Sequence, residues 1–313
     1  MEVIERPTLA QVFRRFYPRY RQSSKVSTEQ RRAAWCIQAC RTPALGEDQW
    51  ECERCGNVHT VYHSCGNRHC PICQGARSHE WLQRQQERLL PVPYFHVVFT
   101  IASELHVVFL YNRKLLYQEL FAQSSSTLLD FRRNPQFLGA QLGFLGVLHT
   151  WGQTMVYHPH THYVVPQGGI DAQGRWVRPK LSDQARFLLP IKAVSKVFRA
   201  RLLHRLETLY AEGKLVFPDP LTESQFPDQL RIAASKPWEV YAQRPFAGPE
   251  PFLRYASLYT HRMVIGSSRL LECDDQSVTF KYKDYRQGGV TKSMRLDGEI
   301  FVNRFLHVSA HEN

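Results

Sequence analysis

No stretch of the 313 residues approaches the ~20 consecutive apolar residues that a bilayer-spanning helix needs. The opening MEVIERPTLAQVFRRFYPRY also lacks the uninterrupted apolar core of a secretion signal. A cytoplasmic protein without membrane contact is therefore expected. Internal repeats and low-complexity runs are missing, which excludes repeat architectures and leaves the chain to be divided by chemistry. No Gly-rich phosphate loop opens a helix, so a doubly wound nucleotide-binding sheet is not indicated. Acidic residues are scarce, at 28 Asp and Glu against 40 Lys and Arg. The resulting net charge of +12 is the long-range field of a polyanion binder, with nucleic acid first among partners. Cysteine is almost confined to one window: of eight, only Cys273 lies outside Cys36–Cys73. In a reducing compartment that clustering argues for metal ligation over disulfides.

With 43% hydrophobic residues the chain can bury a substantial core. Residues 1 to 35 intersperse Arg14, Arg15, Arg19, Arg21, Arg31 and Arg32 among Phe13, Phe16, Tyr17 and Tyr20, the pattern of helices with one cationic face, either solvated or turned to DNA. SHEWLQRQQERLL reads as a helix ended by Pro91 and Pro93. Beyond it, YFHVVFTI (94–101) and HTHYVVP (160–166) read as strands, with Gly168 and Gly169 marking the exit of the second. Helices are expected at 103–122, at 136–152 and over IKAVSKVFRARLLHRLETLYAEG. WEVYAQRPF reads as a strand, PEPFLRYASLYTH as a helix, and the remainder, including RMVIGSSRLLE and SVTFKYKDY, as hairpins. Together these predict an α+β fold whose antiparallel sheet is flanked by helices, with an N-terminal helical and zinc-binding domain over 1–92 and a larger domain over 93–313.

Cys52-Glu-Arg-Cys55 and Cys70-Pro-Ile-Cys73 form two Cys-x2-Cys pairs separated by 14 residues. Each can fold as a knuckle whose amides point at thiolates, and four thiolates saturate a tetrahedral Zn²⁺, so the expected zinc is structural. Cys36, Cys40, Cys65 and His69 are interleaved with these and could hold a second zinc. Arg68, with Arg41, Arg54 and Arg77, would offer cations from this module to phosphates.

His160-Thr-His162 lies on an expected strand, whose two-residue period puts both imidazoles on one face, able to grip one metal ion. Tyr255 and Tyr259 are four apart on an expected helix and so share a face, flanked by Arg254, His261 and Arg262. Tyrosine is a slow nucleophile at neutral pH, and a divalent cation that polarises a phosphate is the partner it needs.

The strings CGNRHCPICQ, PYFHVVFT, LHTWGQ, HPHTHYVVPQGG and LRYASLYTHR, in this order, resemble rolling-circle transposases of the insertion sequence ninety-one type, members of the His-hydrophobe-His (HUH) endonuclease superfamily. The resemblance runs from about residue 30 to about 305. It implies an HUH-like fold, a bacterial and nucleoid-associated location, and DNA as partner, preferentially single-stranded transposon ends. His160 and His162 match the paired ligands of a catalytic Mg²⁺ or Mn²⁺. Tyr255 and Tyr259 match the two nucleophiles, which would form a 5′-phosphotyrosine and rejoin strands without ATP. A third ligand from outside the motif is expected at Gln153, with His149 as the next choice. Thr161 departs from the family's usual aliphatic middle residue. A replication initiator or relaxase shares the metal site and the tyrosine, and a zinc-dependent DNA-binding protein that does not cut is the alternative from another class.

Overall fold

A computed structural model describes residues 6–87, 89–178, 190–219, 221–246, 264–284 and 287–309. Arg254, Tyr255, Tyr259, His261 and Arg262, with the helix expected around them, lie outside the described residues. The chain forms two compact units: Met1–Gln83 with Trp151–Tyr157 and Ser257–Asn313, and Arg84–Thr150 with His158–Ala256. Where a single division at residue 92 was expected, the chain leaves the first unit and returns to it, because residues from both ends build one apolar core.

The N-terminal part holds helices α1 (Leu9–Ser23) and α2 (Thr28–Ala39), the hairpin β1 (Glu47–Glu51) and β2 (Val58–Tyr62), and helix α3 (Pro71–Gln86). Thr8 with Gln11, and Ser27 with Gln30, form reciprocal capping boxes that satisfy the first amides of α1 and α2. Helix α1 buries Leu9, Val12, Phe13, Phe16, Tyr17 and Tyr20 on one stripe. Its cationic face is largely used internally: Arg14 donates to the Gln38 carbonyl, Arg15 to that of Cys273 and Arg19 to that of Asp275.

The second unit contains β3 (Tyr94–Thr100), α4 (His106–Tyr111), α5 (Arg113–Arg133), and most of β4 (Leu145–Trp151) and β5 (Tyr157–Pro166). The short pair β6 (Gly169–Ile170) and β7 (Trp176–Val177), then α6 (Ile191–Ala211), α7 (Phe226–Ser235) and β8 (Val240–Phe246), complete it. The sheet order is β4-β5-β3-β8, with β3 antiparallel to both β5 and β8. One face is apolar and covered by helices. There Phe99 meets Phe198 of α6 edge-on at 4.9 Å, and Tyr163 packs against Phe121 of α5. Strand alternation puts Tyr94, His96 and Val98 of β3, and His160, His162 and Val164 of β5, on the other face. The register Val98↔His162 and His96↔Val164 sets these side by side.

The chain closes in the first unit with β9 (Leu270–Cys273), β10 (Ser277–Asp284), β11 (Val290–Asp297) and α8 (Gly298–Ser309). Phe305 of α8 meets Phe13 of α1 edge-on at 5.3 Å, inside the core that also buries Phe16, Phe280 and Phe301.

Two expectations need correction. Residues 136–152 are not a helix: they end in β4, because Gly139, Gly143 and Gly146 weaken any helix there. Gly146 is required by the sheet, since a Cβ at this position would come 2.6 Å from the Tyr163 ring. The C-terminal stretch is not all hairpin, for α8 follows β11 with an apolar face of Phe301, Val302, Phe305 and Leu306. Among the described residues, no helix is long and apolar enough to cross a membrane.

Candidate metal centres

In the first unit, the sulfurs of Cys40, Cys65, Cys70 and Cys73 all lie within 4.8 Å of one another. Cys40 caps the C-terminus of α2, its N–H donating to the Cys36 carbonyl. Cys73 sits in the first turn of α3, which Pro71 opens with the φ a helix start requires. The Cys40 and Cys65 sulfurs each stand 3.6 Å from that of Cys73. Ligands at ~2.3 Å around a tetrahedral zinc stand ~3.8 Å apart, so the set fits zinc with little movement. The Asn67 amide donates to Cys65 Sγ, the amide-to-sulfur contact of a metal knuckle.

Burial pushes the Cys65 thiol up and holds Cys70 up to about 12. Burial opposes ionisation of Cys73 as well, but the Cys65 and Cys40 thiols directed at its sulfur bring it below the ordinary thiol value. Four converging sulfurs are a donor set that a divalent cation completes by displacing their protons.

The four sulfurs brought together are not the four that spacing pairs. Cys52 and Cys55 are exposed at the turn between β1 and β2 and are not among the four. They fold as a knuckle all the same: Cys55 and Gly56 amides donate to the Cys52 carbonyl, Gly56 takes φ +65°, and the Arg54 and Cys55 amides lower the Cys52 thiol. No second set of Cys36, Cys40, Cys65 and His69 forms among the described residues. Cys36 is packed in the core, and His69 Nε2 accepts from Arg68. Arg68 also approaches Glu29 at 3.7 Å, so its cation is engaged within the protein.

In the second unit, His160 and His162 share a face of β5 as expected, and their third neighbour is His149 of β4. One ligand nitrogen from each of the three falls within 4.8 Å of the others, and the residues are only 8%, 8% and 2% exposed. His160 Nδ1 lies 2.6 Å from the His158 carbonyl, which can only accept; the proton is therefore on Nδ1, and Nε2 is the basic nitrogen. His162 Nδ1 lies 2.7 Å from Nε2 of His96, which fixes the ring from behind as an outer partner does for a metal ligand. Burial drives the His160 pKa down to about 3 and His162 well below its ordinary value, with the neighbouring histidines adding to both. Both rings stay neutral at pH 7, the form that ligates a cation.

Gln153 belongs to the first unit, where its carbonyl accepts from Arg269 and its Oε1 faces the Lys283 amide. The sequence reading missed His96. Its signal was the alternation of FHVVF, which puts His96 on the face shared by Tyr94 and Val98.

A family model described as "Transposase zinc-binding domain" matches residues 12–101, and one described as "Putative transposase" matches residues 143–311, more than half of the chain. The chain belongs to the IS91 family of transposases. This transposase is 40% identical over 306 residues to "Putative transposase y4qJ" of Sinorhizobium fredii, an alignment covering 96% of this chain and 76% of that protein. It is 28% identical over 255 residues to "Transposase for insertion sequence element IS801" of Pseudomonas savastanoi pv. phaseolicola, covering 79% of this chain and 59% of that one. Among solved structures, TrwC complexed with a 27-mer DNA comprising the recognition hairpin and the cleavage site matches 54% of this transposase and 74% of that chain. The likeness is slight, at 13% identity and a TM-score of 0.26.

Proposed function

We propose that this transposase cuts and rejoins single-stranded DNA at transposon ends, using a tyrosine hydroxyl as nucleophile beside a divalent cation held by His149, His160 and His162. The observation that carries the reading is the three buried imidazoles converging from two strands. Three uncharged ligands leave the full charge of a bound cation to act on a phosphate oxygen, which is the Lewis-acid chemistry it would supply.

The chain's own residues do the rest. The His158 carbonyl holds His160 in one tautomer, and His96 orients the His162 ring. Tyr259 attacks the phosphorus, its phenolic proton leaves, and the bond to the 3′ oxygen breaks. The products are a 5′-phosphotyrosine and a free 3′ hydroxyl. Attack by a 3′ hydroxyl on the phosphotyrosine reverses the step, and the energy of the original linkage is conserved. Tyr255 would hold the second strand, while Arg254, His261 and Arg262 neutralise phosphates. An all-imidazole set is a softer site than carboxylates and waters provide, so Mn²⁺ suits it better than Mg²⁺.

The test is a covalent-adduct assay on single strands from the element's end. Wild type with Mn²⁺ should give a protein–DNA band that resists denaturant. An adduct that persists in the Tyr255→Phe, Tyr259→Phe double variant would sink the mechanism.

A further inference from the structure

On the histidine-bearing face of the second unit's sheet lies an apolar cleft of about 280 Å³, at the lower end of the range for small-ligand sites. Tyr94, Val164 and Pro166 form part of its wall, with Phe144, Trp176 and the glutamines Gln85 and Gln141. Strand register connects it to the candidate metal site. Val164 follows His162 by two residues on the same side of β5, and Tyr94 precedes His96 by two on β3. At ~3.3 Å per residue, the cleft begins about 7 Å along the strand from the ligating imidazole.

The geometry points to a pocket for one unpaired nucleobase, next to the nucleotide whose phosphate the histidine centre engages. This deepens the function proposed above and rests on it. Two kinds of group make up the lining. Aromatic and aliphatic surfaces suit the flat face of a base, and two primary amides can both donate to and accept from its polar edge. No Asp, Glu, Lys or Arg lines the cleft among the described residues, so nothing there repels a neutral base or demands a charged ligand. Arg178, two residues after Trp176, is exposed and available to a phosphate backbone.

The aromatic wall is built deliberately at backbone level. The indole of Trp176 packs against Gly168, where any Cβ would come 2.5 Å from the ring. Gly169 is pinned from the other side, since a Cβ there would come 2.5 Å from the Gln141 carbonyl. Gln141 and Ile170 exchange two backbone hydrogen bonds, which fixes the amide-bearing residue relative to the β6–β7 pair. A stacking platform needs such rigidity, because a ring that must be ordered on binding loses much of what stacking supplies.

The experiment uses the full chain and two single-stranded probes of equal length, an oligothymidylate and the same backbone without bases. Trp176→Ala should weaken oligothymidylate binding about tenfold, as loss of one stacked base does, and leave the abasic probe unchanged. Trp176→Phe should restore most of the difference. With wild type, an oligonucleotide carrying iododeoxyuridine should photocrosslink to Trp176 or Tyr94. Equal binding of both probes by wild type and Trp176→Ala, or crosslinks mapping only elsewhere, overturns the inference. Should Trp176→Ala fail to fold, the crosslink in wild type and the Trp176→Phe comparison still decide it. A covalent adduct that forms normally while the Trp176 effect is absent rejects the pocket alone. Absence of any adduct with wild type rejects the cleavage reading instead.

Discussion

Cys40 and Cys73 hold their sulfurs 3.6 Å apart, although 33 positions separate them in the chain. Neither belongs to a Cys-x2-Cys pair with the other, and Cys40 belongs to none. Four sulfurs within 4.8 Å of one another suit a shared cation, and the match to a transposase zinc-binding domain favours zinc.

Metal analysis of the purified chain should therefore give about one tightly held zinc, the number one closed tetrahedral site takes. Cys40→Ser or Cys65→Ser should lose most of it. Cys52→Ser should keep it, because Cys52 is exposed and outside the four. Since burial holds Cys70 up to about 12, binding must expel protons, so zinc affinity falls as pH falls. Zinc retained in Cys65→Ser and lost in Cys52→Ser would restore the arrangement expected from spacing.

The second unit should be sensitive to acid. His160 and His106 are held down to about 3 and about 4, in each case first by burial. Between those values and the ordinary ~6.5, the unfolded chain binds protons that the folded chain refuses. Stability conferred by these rings is complete above pH ~6.5 and is lost as pH falls toward 4 and below. Each unit of depression corresponds to ~1.4 kcal/mol. Thermal unfolding followed from pH 7 to 4 should show a steep fall that His160→Gln flattens. A slope unchanged in that variant would contradict the burial argument.

The third metal ligand can be decided by substitution. His149→Ala should reduce Mn²⁺-dependent cleavage by at least ~100-fold, and His96→Ala should weaken metal affinity by ~10–100-fold, the usual range for an outer partner. Gln153→Ala should stay within a few-fold of wild type. Titration of Mn²⁺ against cleavage rate reads all three, and the opposite ranking of His149 and Gln153 would return the glutamine to the site.

The two tyrosines should differ. In the sequence Tyr259 is followed by Thr260, His261 and Arg262, polar groups that can orient a phosphate, whereas Tyr255 is followed by Ala256. Tyr259→Phe should abolish the adduct on a single strand. Tyr255→Phe should form it but fail to complete strand transfer, as gel analysis of the joined product would reveal. The reverse assignment follows if only Tyr255→Phe loses the adduct.

Much of the fold was legible because its signals are local. The β-branched run of β3 and the repeating apolar stripe of α6 each suit one periodicity only. Strand β4 was not legible in the same way. Residues 136–152 are apolar enough for either assignment, and the Tyr163 ring that leaves no room for a Cβ at Gly146 is supplied only by the assembled sheet. The paired histidines followed from a two-residue period, but His149 and His96 reach them from neighbouring strands. Cysteine spacing identified the knuckle at Cys52–Cys55, which does fold, yet spacing carries no record of which sulfurs the two helices α2 and α3 bring together.

The helix-covered side of β5 has a consequence for how the motif can change over generations. Thr161, between the two histidines, is wholly buried and donates to Ser124 Oγ, which also meets the Tyr163 hydroxyl at 2.7 Å and donates to the Leu120 carbonyl. Ser124 is thus the common partner of two hydroxyls. Replacing Thr161 with valine removes one donor and leaves Ser124 satisfied. Replacing Ser124 with alanine first would take the partner from the buried Thr161 hydroxyl, at ~1–3 kcal/mol, and leave the Tyr163 hydroxyl only its longer contact to the Phe121 carbonyl. Drift back toward an aliphatic middle residue therefore has a direction: position 161 can move before position 124, and a lineage that tried the opposite order would pass through a sequence that folds poorly.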